Sequence, residues 1–340
     1  MLETEDYTLE ISVIIPVYNA AAYVRQAVES ALAQPEVREV LLVEDGSPDN
    51  ALEVCQQLAA EDQRVILLRH PNGENRGPGA SRNLGMRNAR SPILAFLDAD
   101  DYYLPGRFKL DKEIYAENPL CDGVYHAIGM HIEDSEGLER WNSAGKPPDL
   151  IKTMTAEIPP EKLADALLNG GYGHFSIDGL SIIKSVLEKA GLMREDLPLH
   201  QDTEWILRIA MTSQLFPGNL SEPVTRWRVH SQNRISAPRN SLRKLDARLR
   251  MWEGLYDWCR QKGLEQYRST IMLRMIENAA SKQRFEGKDR GKLNRRLLRV
   301  THIASWLLPH PRYALDRCFW QTLGEFVSAQ PTPVQESKRL

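Results

Sequence analysis

Four short β-branched runs alternate with helix-length amphipathic segments over the first hundred residues, and this rhythm constrains the chain more than any other feature. Residues Ile11–Val17 (ISVIIPV) form an apolar run carrying Pro16 near its end and followed by Tyr18 and Asn19. That pattern predicts a buried parallel strand, a loop, and a helix over 21–33. A second strand over 40–43 stops at Glu44-Asp45-Gly46-Ser47-Pro48-Asp49, where Ser47 or Asp49 can cap a helix over 51–60. A third strand covers 65–68. The glycine-rich stretch Asn75-Arg76-Gly77-Pro78-Gly79-Ala80-Ser81-Arg82-Asn83 then feeds a helix, and a fourth strand covers 93–97. Strands alternating with helices at this spacing predict an α/β fold with a doubly wound, mostly parallel sheet flanked by helices. Ligands of such sheets bind beyond the carboxyl ends of the strands, where Tyr18, Asp45 and Asp98 fall.

The fourth strand runs into Phe96-Leu97-Asp98-Ala99-Asp100-Asp101, three carboxylates in four positions at the end of an apolar segment. Alternation along a strand sends Asp98 and Asp100 to one side. Two carboxylates held this close repel each other and resist desolvation, and a hard divalent cation with oxygen ligands relieves both problems. Magnesium or manganese bound to a diphosphate fits that description. The run also suits a plain polar strand end in which Asp101 caps the next turn.

SVIIPVYNA, VEDGSPD, NRGPGASRNLGM and FLDADD, in this order and spacing, resemble the nucleotide-sugar domain of family 2 glycosyltransferases. The resemblance implies the GT-A (Rossmann-like) fold, an inverting transfer from a nucleotide-diphosphate sugar, expected to be a UDP-sugar, and a divalent cation, Mn2+ or Mg2+. It places Pro16, Tyr18 and Asn19 around the base, with Tyr18 packing on the ring. Asp45 would accept from the uracil imide, and Gly79 and Arg82 would face the donor. Asp98 would touch the ribose or the metal shell, and Asp100 would ligate the cation. Each residue also has an ordinary structural use: strand-end packing for Tyr18, an Asp-Gly turn for Asp45, and a surface ion pair for Arg82.

Farther along, 122–139 alternates around Asp-Ser-Glu-Gly and predicts two antiparallel strands that extend the sheet, and 141–160 reads as a loop. A helix is predicted after Glu161. Gly170-Gly171-Tyr172-Gly173-His174-Phe175-Ser176 follows and resembles the family's acceptor side, with a strand leading into a short helix. His174 and Asp178 suit sugar contacts there, or simple solvation. Leu199 to Arg208 enters an amphipathic helix with Trp205, Ile206 and Ile209 on one face. The family's general base falls at Asp202, although Gln201 stands where the family usually has a second acid. Glu204 is the fallback base, and its spacing to Arg208 equally suits a helix-surface ion pair. Thr225-Arg226-Trp227-Arg228-Val229-His230-Ser231 predicts a short edge strand, and the family's Arg-x-His element places Arg228 near the diphosphate and His230 in the metal shell.

The charge balance then reverses. Residues 239–340 hold 21 Lys and Arg against 10 Asp and Glu, while the first 238 hold 22 against 36. We therefore expect a GT-A domain over 1–238, donor-binding over 1–110 and acceptor-side over 111–238, followed by a basic α-helical region. Helical periodicity covers 242–276, and Leu293, Leu297, Val300, Ala304 and Leu307 form a stripe beside Arg295, Arg296 and Arg299. Such a stripe suits an anionic membrane surface and a lipid-linked or glycan acceptor. Packing on an acidic protein surface, or forming a homo-oligomer, explains it as well. No nucleic-acid reader motif accompanies the charge.

Cys55, Cys121, Cys259 and Cys318 are widely spaced and predict free thiols in a reducing compartment. The acidic N-terminus lacks the apolar core of a signal peptide, and no apolar run reaches the roughly 20 residues that span a bilayer. A cytoplasmic protein, peripheral to the inner membrane face if the basic helices dock there, is the expectation. A catalytically silent nucleotide-sugar scaffold remains as an alternative. A nucleotidyltransferase would need a glycine-rich triphosphate loop after the first strand, and the sequence has none there.

Overall fold

The computed structural model describes residues 8–143, 145, 147, 149–231, 242–285, 307 and 311–328. Its contacts divide the chain into two units, 1–196 with 201–236, and 197–200 with 237–340.

In the first unit β1 (Ile11–Val17) precedes α1 (Val24–Leu32), β2 (Val37–Glu44) precedes α2 (Ala51–Glu61), and β3 (Val65–Arg69) precedes α3 (Gly77–Asn88). β4 (Ile93–Phe96) ends at the acidic run, and β5 (Tyr102–Tyr103) and α4 (Lys109–Glu117) come next. The remainder is β6 (Gly123–Tyr125), β7 (Ile128–Ile132), α5 (Ser135–Ser143), β8 (Ile151–Lys152), α6 (Pro160–Asn169), β9 (Leu180–Ile183), α7 (Val186–Ala190), α8 (Gln201–Thr212), β10 (Leu215–Pro217) and β11 (Thr225–Val229).

Seven strands form one sheet in the order β10-β6-β9-β4-β1-β2-β3. Its first four strands in sequence are parallel, as the alternation predicts, and β9 runs antiparallel between β4 and β6. Val13, Ile15, Val17, Val40 and Leu42 pack with Val24, Ala27, Val28, Cys55 and Leu58 on one face. Ile14 points to the other face, where α3 approaches so closely that a Cβ at Gly85 would lie 2.5 Å from Ile14 Cγ2. Both faces are covered, so the strands read as continuous apolar runs.

Four further strands form a smaller sheet, β5-β11-β7-β8, and here three expectations need correction. The 122–139 segment is not a hairpin: β6 belongs to the large sheet and β7 to the small one. The chain crosses over at His126 and Ala127, whose N–H groups donate to Gly179 and Asn219 carbonyls at 3.0 and 2.7 Å. Alternation sets which face a residue takes but not which strand it pairs with. The Asp-Ser-Glu-Gly stretch opens α5, where Asp134 Oδ1 accepts the Gly137 N–H at 2.6 Å. Glycine is needed there because a Cβ would lie 2.7 Å from the Val229 carbonyl oxygen. β8 also falls in the region expected to be loop. Finally, β11 is an interior strand between β5 and β7, because the two residues of β5 are too few to register as a strand in the sequence.

The second unit contains α9 (Leu242–Lys262), α10 (Glu265–Phe285) and α11 (Arg317–Ser328). The predicted 242–276 periodicity is thus two helices, broken at Gly263, where φ is +70°. Leu264 N–H bonds the Cys259 carbonyl and Gly263 N–H the Arg260 carbonyl, a glycine-terminated helix end. The stripe at Leu293, Leu297, Val300 and Ala304, with Arg295, Arg296 and Arg299, lies outside the described residues. Among the described residues, no helix is long and apolar enough to cross a membrane.

Candidate active site

The carboxyl ends of β1, β2 and β4 deliver the predicted groups to the first unit. Tyr18 is 38% exposed just past β1, and Asn19 takes a left-handed φ of +53°. The loop is held by its neighbour: Ala21 N–H donates to Asp49 Oδ2 at 2.9 Å, and Asp49 Oδ1 accepts the Ala51 N–H at the start of α2. Asp45 is buried, and its two oxygens accept the N–H groups of Arg76 and Gly77 at 2.7 and 2.9 Å. It therefore ties the end of β2 to the start of α3. Gly79 packs against the Arg194 carbonyl and Gln201, which a Cβ would meet at 3.2 and 3.3 Å.

Arg82 rises from α3, is buried, and pairs with Asp98 through Nη2. Its Nε and Nη1 are buried without a hydrogen-bond partner among the described residues. Burial alone would lower the guanidinium, but Asp98, Asp202 and Asp178 hold it above its ordinary value.

The turn Asp98–Asp101 is braced at both ends. Asp178, in the 3-10 turn Ile177–Gly179, accepts the Asp98 N–H through Oδ1 at 3.0 Å. Asp101 accepts the Arg228 N–H at 2.8 Å, and Arg228 Nε donates to the Asp100 carbonyl at 2.7 Å. The Arg228 guanidinium also pairs with Glu133, donates to Gln26 at 2.5 Å, and sits 4.9 and 5.3 Å from the ring centroids of Tyr23 and Tyr102. His230 Nε2 lies 3.1 Å from Asp100 Oδ2, and its ring packs on Tyr23. Tyr23, Gln26 and Glu133 escaped the sequence reading, since a bracing partner up to 202 residues away leaves no local pattern.

Carboxylate oxygens of Asp98, Asp100 and Asp101 lie within 4.8 Å of one another. Burial, then repulsion from Asp100, pushes Asp101 well above the usual carboxylate range. Asp178 is pushed up to about 7, mainly by burial and then by Asp98. Loss of water raises Asp98 as well, against the pull of Arg82. These residues fit a hard divalent cation, whose charge would offset the repulsion. They do not offer themselves equally. Asp101 is 1% exposed and bonded to Arg228, whereas Asp98 and Asp100 keep 41% and 32% of their side chains open, Asp98 paired with Arg82 and Asp100 beside His230.

Asp202 lies in the first turn of α8, where Oδ1 accepts the Thr203 N–H at 2.7 Å. Its charge acts on both Asp98 and Arg82, so it belongs to the same electrostatic neighbourhood. Glu204 and Arg208 do pair, at 2.8 Å, but in the interior rather than on the helix surface. Arg208 also donates to the Ala190 and Leu192 carbonyls at 2.5 and 2.7 Å, and Trp205 to that of Gly191 at 2.8 Å. Glu204 is thereby fixed as a packing element between α7 and α8.

The family profile for glycosyl transferase family 2 matches residues 12–190, more than half the chain. Succinoglycan biosynthesis protein ExoU of Rhizobium meliloti is 41% identical over 98 residues, 29% of this chain and 28% of that protein. An uncharacterized glycosyltransferase of Rickettsia typhi is 28% identical over 256 residues, 74% of this chain and 73% of that one. The matches span only 25–40% of the length of the first four curated relatives. Among solved structures, S. aureus TarS 1-349 in complex with UDP-GlcNAc superposes with a TM-score of 0.57 at 14% identity, covering 93% of this chain and 91% of that one. That likeness is one of fold, and the mostly parallel sheet flanked by helices is the expected GT-A architecture. The profile match over more than half its length establishes that the chain belongs to glycosyl transferase family 2.

Proposed function

We propose that this protein is a cation-dependent inverting glycosyltransferase that moves a sugar from a nucleoside diphosphate to an acceptor hydroxyl. The observation that carries the reading is the convergence of Arg82, Asp98, Asp100, Asp101, Arg228 and His230, taken from three separate parts of the fold, with Asp202 in electrostatic reach. Structural packing alone needs no such surplus of negative charge beside a buried guanidinium with unused donors.

Asp100, with His230 and Asp98 beside it, would hold the divalent cation, which supplies positive charge to the departing diphosphate. Arg82 adds a second positive charge, and its unused N–H donors suit an anionic oxygen. Tyr18 and Asn19 line the entrance used by the base, with Asp45 fixing the loop wall behind them. Asp202 takes the proton of the acceptor hydroxyl as that oxygen bonds the anomeric carbon and the bond to the diphosphate oxygen breaks. Attack opposite the leaving group inverts the anomeric centre. A uridine base is favoured by the fold shared with TarS, crystallised with UDP-GlcNAc, and a polysaccharide or lipid-linked acceptor by the relative named for succinoglycan synthesis.

The test is purified full-length protein incubated with a panel of nucleotide sugars, with manganese and with chelator, reading nucleoside diphosphate release. Release with at least one donor that chelation abolishes supports the reading. Donor binding without release or transfer for any acceptor tried would favour the silent scaffold.

A further inference from the structure

Asp178 lies outside the residues assigned to donor, cation or base, yet both of its carboxyl oxygens are anchored close to them. It is buried in the short turn between the glycine-rich 170–176 loop and β9. Its Oδ1 accepts the N–H of Asp98 at 3.0 Å, and its Oδ2 accepts the hydroxyl of Ser176 at 3.1 Å. Its own carbonyl oxygen accepts the Thr225 hydroxyl on β11 at 3.0 Å. The next residue is equally fixed: Gly179 O accepts the His126 N–H at 3.0 Å, and a Cβ at Gly179 would lie 2.6 Å from the His126 carbonyl oxygen. The carboxylate therefore joins the end of β4 to the loop on the acceptor side, while the main-chain carbonyl of the same residue ties it to the small sheet.

A carboxyl oxygen placed under a main-chain N–H at the first residue of a cation-binding turn has a specific mechanical effect. It fixes where Asp98 starts, while the Arg228 bonds fix where Asp101 ends, and Asp100 between them has little freedom left. Sites held within a fraction of an ångström owe that precision to such supports, and a displacement of about 1 Å can cost roughly 10²-fold in rate.

We propose that Asp178 is a positioning residue that sets the Asp98–Asp101 turn in register with the acceptor-side loop through its bond to the Asp98 N–H. It accepts hydrogen bonds and makes no contact with the reacting atoms. The inference rests on the reading of this turn as the cation site of a transferase.

The experiment compares parent, Asp178→Ala and Asp178→Asn as full-length proteins, measuring kcat, donor KM and manganese affinity by calorimetry, with thermal melts to show folding. Asparagine keeps an oxygen acceptor for the Asp98 N–H, and the Ser176 hydroxyl can turn to accept from its amide. The expected result is a kcat loss on the order of 10²-fold and weaker manganese binding for Ala, with donor KM changed far less. Asn should recover most of both. Asn as poor as Ala would mean the charge itself acts and would overturn the proposal, as would an Ala variant that matches the parent. Should Ala fail to fold, Ser176→Ala, which removes the hydroxyl bracing Asp178, should lower kcat about tenfold, and an unchanged kcat would overturn the proposal. A parent protein that neither binds manganese nor turns over overturns the transferase reading itself, a result distinct from an active parent with an indifferent Asp178.

Discussion

Two groups of buried charge in the first unit make an instructive pair. Beneath α4, Arg107 and Asp111 form an ion pair at 3.1 Å with both side chains fully buried, and His126 Nε2 bonds Asp111 at 2.7 Å. His126 Nδ1 accepts the Asn219 N–H at 2.9 Å, so Nε2 carries the proton and the imidazole is neutral. Ser181 donates to the other Asp111 oxygen at 2.5 Å, and the Arg107 guanidinium sits 4.6 Å from the Phe108 ring centroid. That group sums to zero charge and is closed to solvent. In the acidic turn, four carboxylates face Arg82 and Arg228, and Arg228 is shared with Glu133. The first group specifies packing, and the second is left with negative charge that a ligand can meet. Burial of charge thus says little about function until the balance around it is drawn.

Substitutions should separate the two groups cleanly. Within the acidic site, Asp202→Asn is expected to lower transfer by roughly 10² to 10⁴-fold while calorimetric donor affinity stays close to the parent's. A parallel loss of donor binding would move Asp202 out of the base role. Removing one partner of the closed group, as in Asp111→Ala, should cost about 3–5 kcal/mol of stability in denaturant titrations, with the manganese requirement of the surviving activity unchanged. A shift in that requirement would show that the two groups are not independent.

The closed group also predicts an acid sensitivity. Burial would raise Asp111, but His126, Arg107 and the Ser181 hydroxyl hold its carboxyl below the ordinary 3.8, while burial lowers His126 below 6.5. Both shifts act in one direction. The unfolded chain takes up the His126 proton first, so stability falls as pH drops below about 6.5, and the Asp111 contribution, full above about 4, is lost below that as its folded pKa is crossed. Melting temperature measured from pH 8 to 4 should decline accordingly, and His126→Gln should flatten the upper part of the decline. The smallest expected effect is Tyr115→Phe, which removes a 3.2 Å hydroxyl contact with Ser181 and should cost about 1 kcal/mol in the same titration.

The contrast also explains what could be read in advance. The first four strands were legible because a strand covered on both faces must be apolar throughout, and helices intervene at regular spacing. The Asp98–Asp101 run stood out because consecutive carboxylates after an apolar strand conflict with simple burial. Arg228 and His230 were legible as a pair but not as interior groups, since β5, which shields one side of β11, is two residues long. Asp178 looked like a solvated loop residue. Its task depends on Asp98, 80 positions earlier, and on Thr225, 47 later, and no local pattern encodes partners at such distances. The crossing of the chain between sheets at His126 was hidden for the same reason.

On the function we propose, the acidic turn works with a cation and the closed group does not. Sugar transfer by the parent and by Asp100→Ala, followed across a manganese titration, tests it most directly. Saturable activation of the parent and loss of that activation in the variant are expected. Equal transfer by both proteins, with or without manganese, would contradict it.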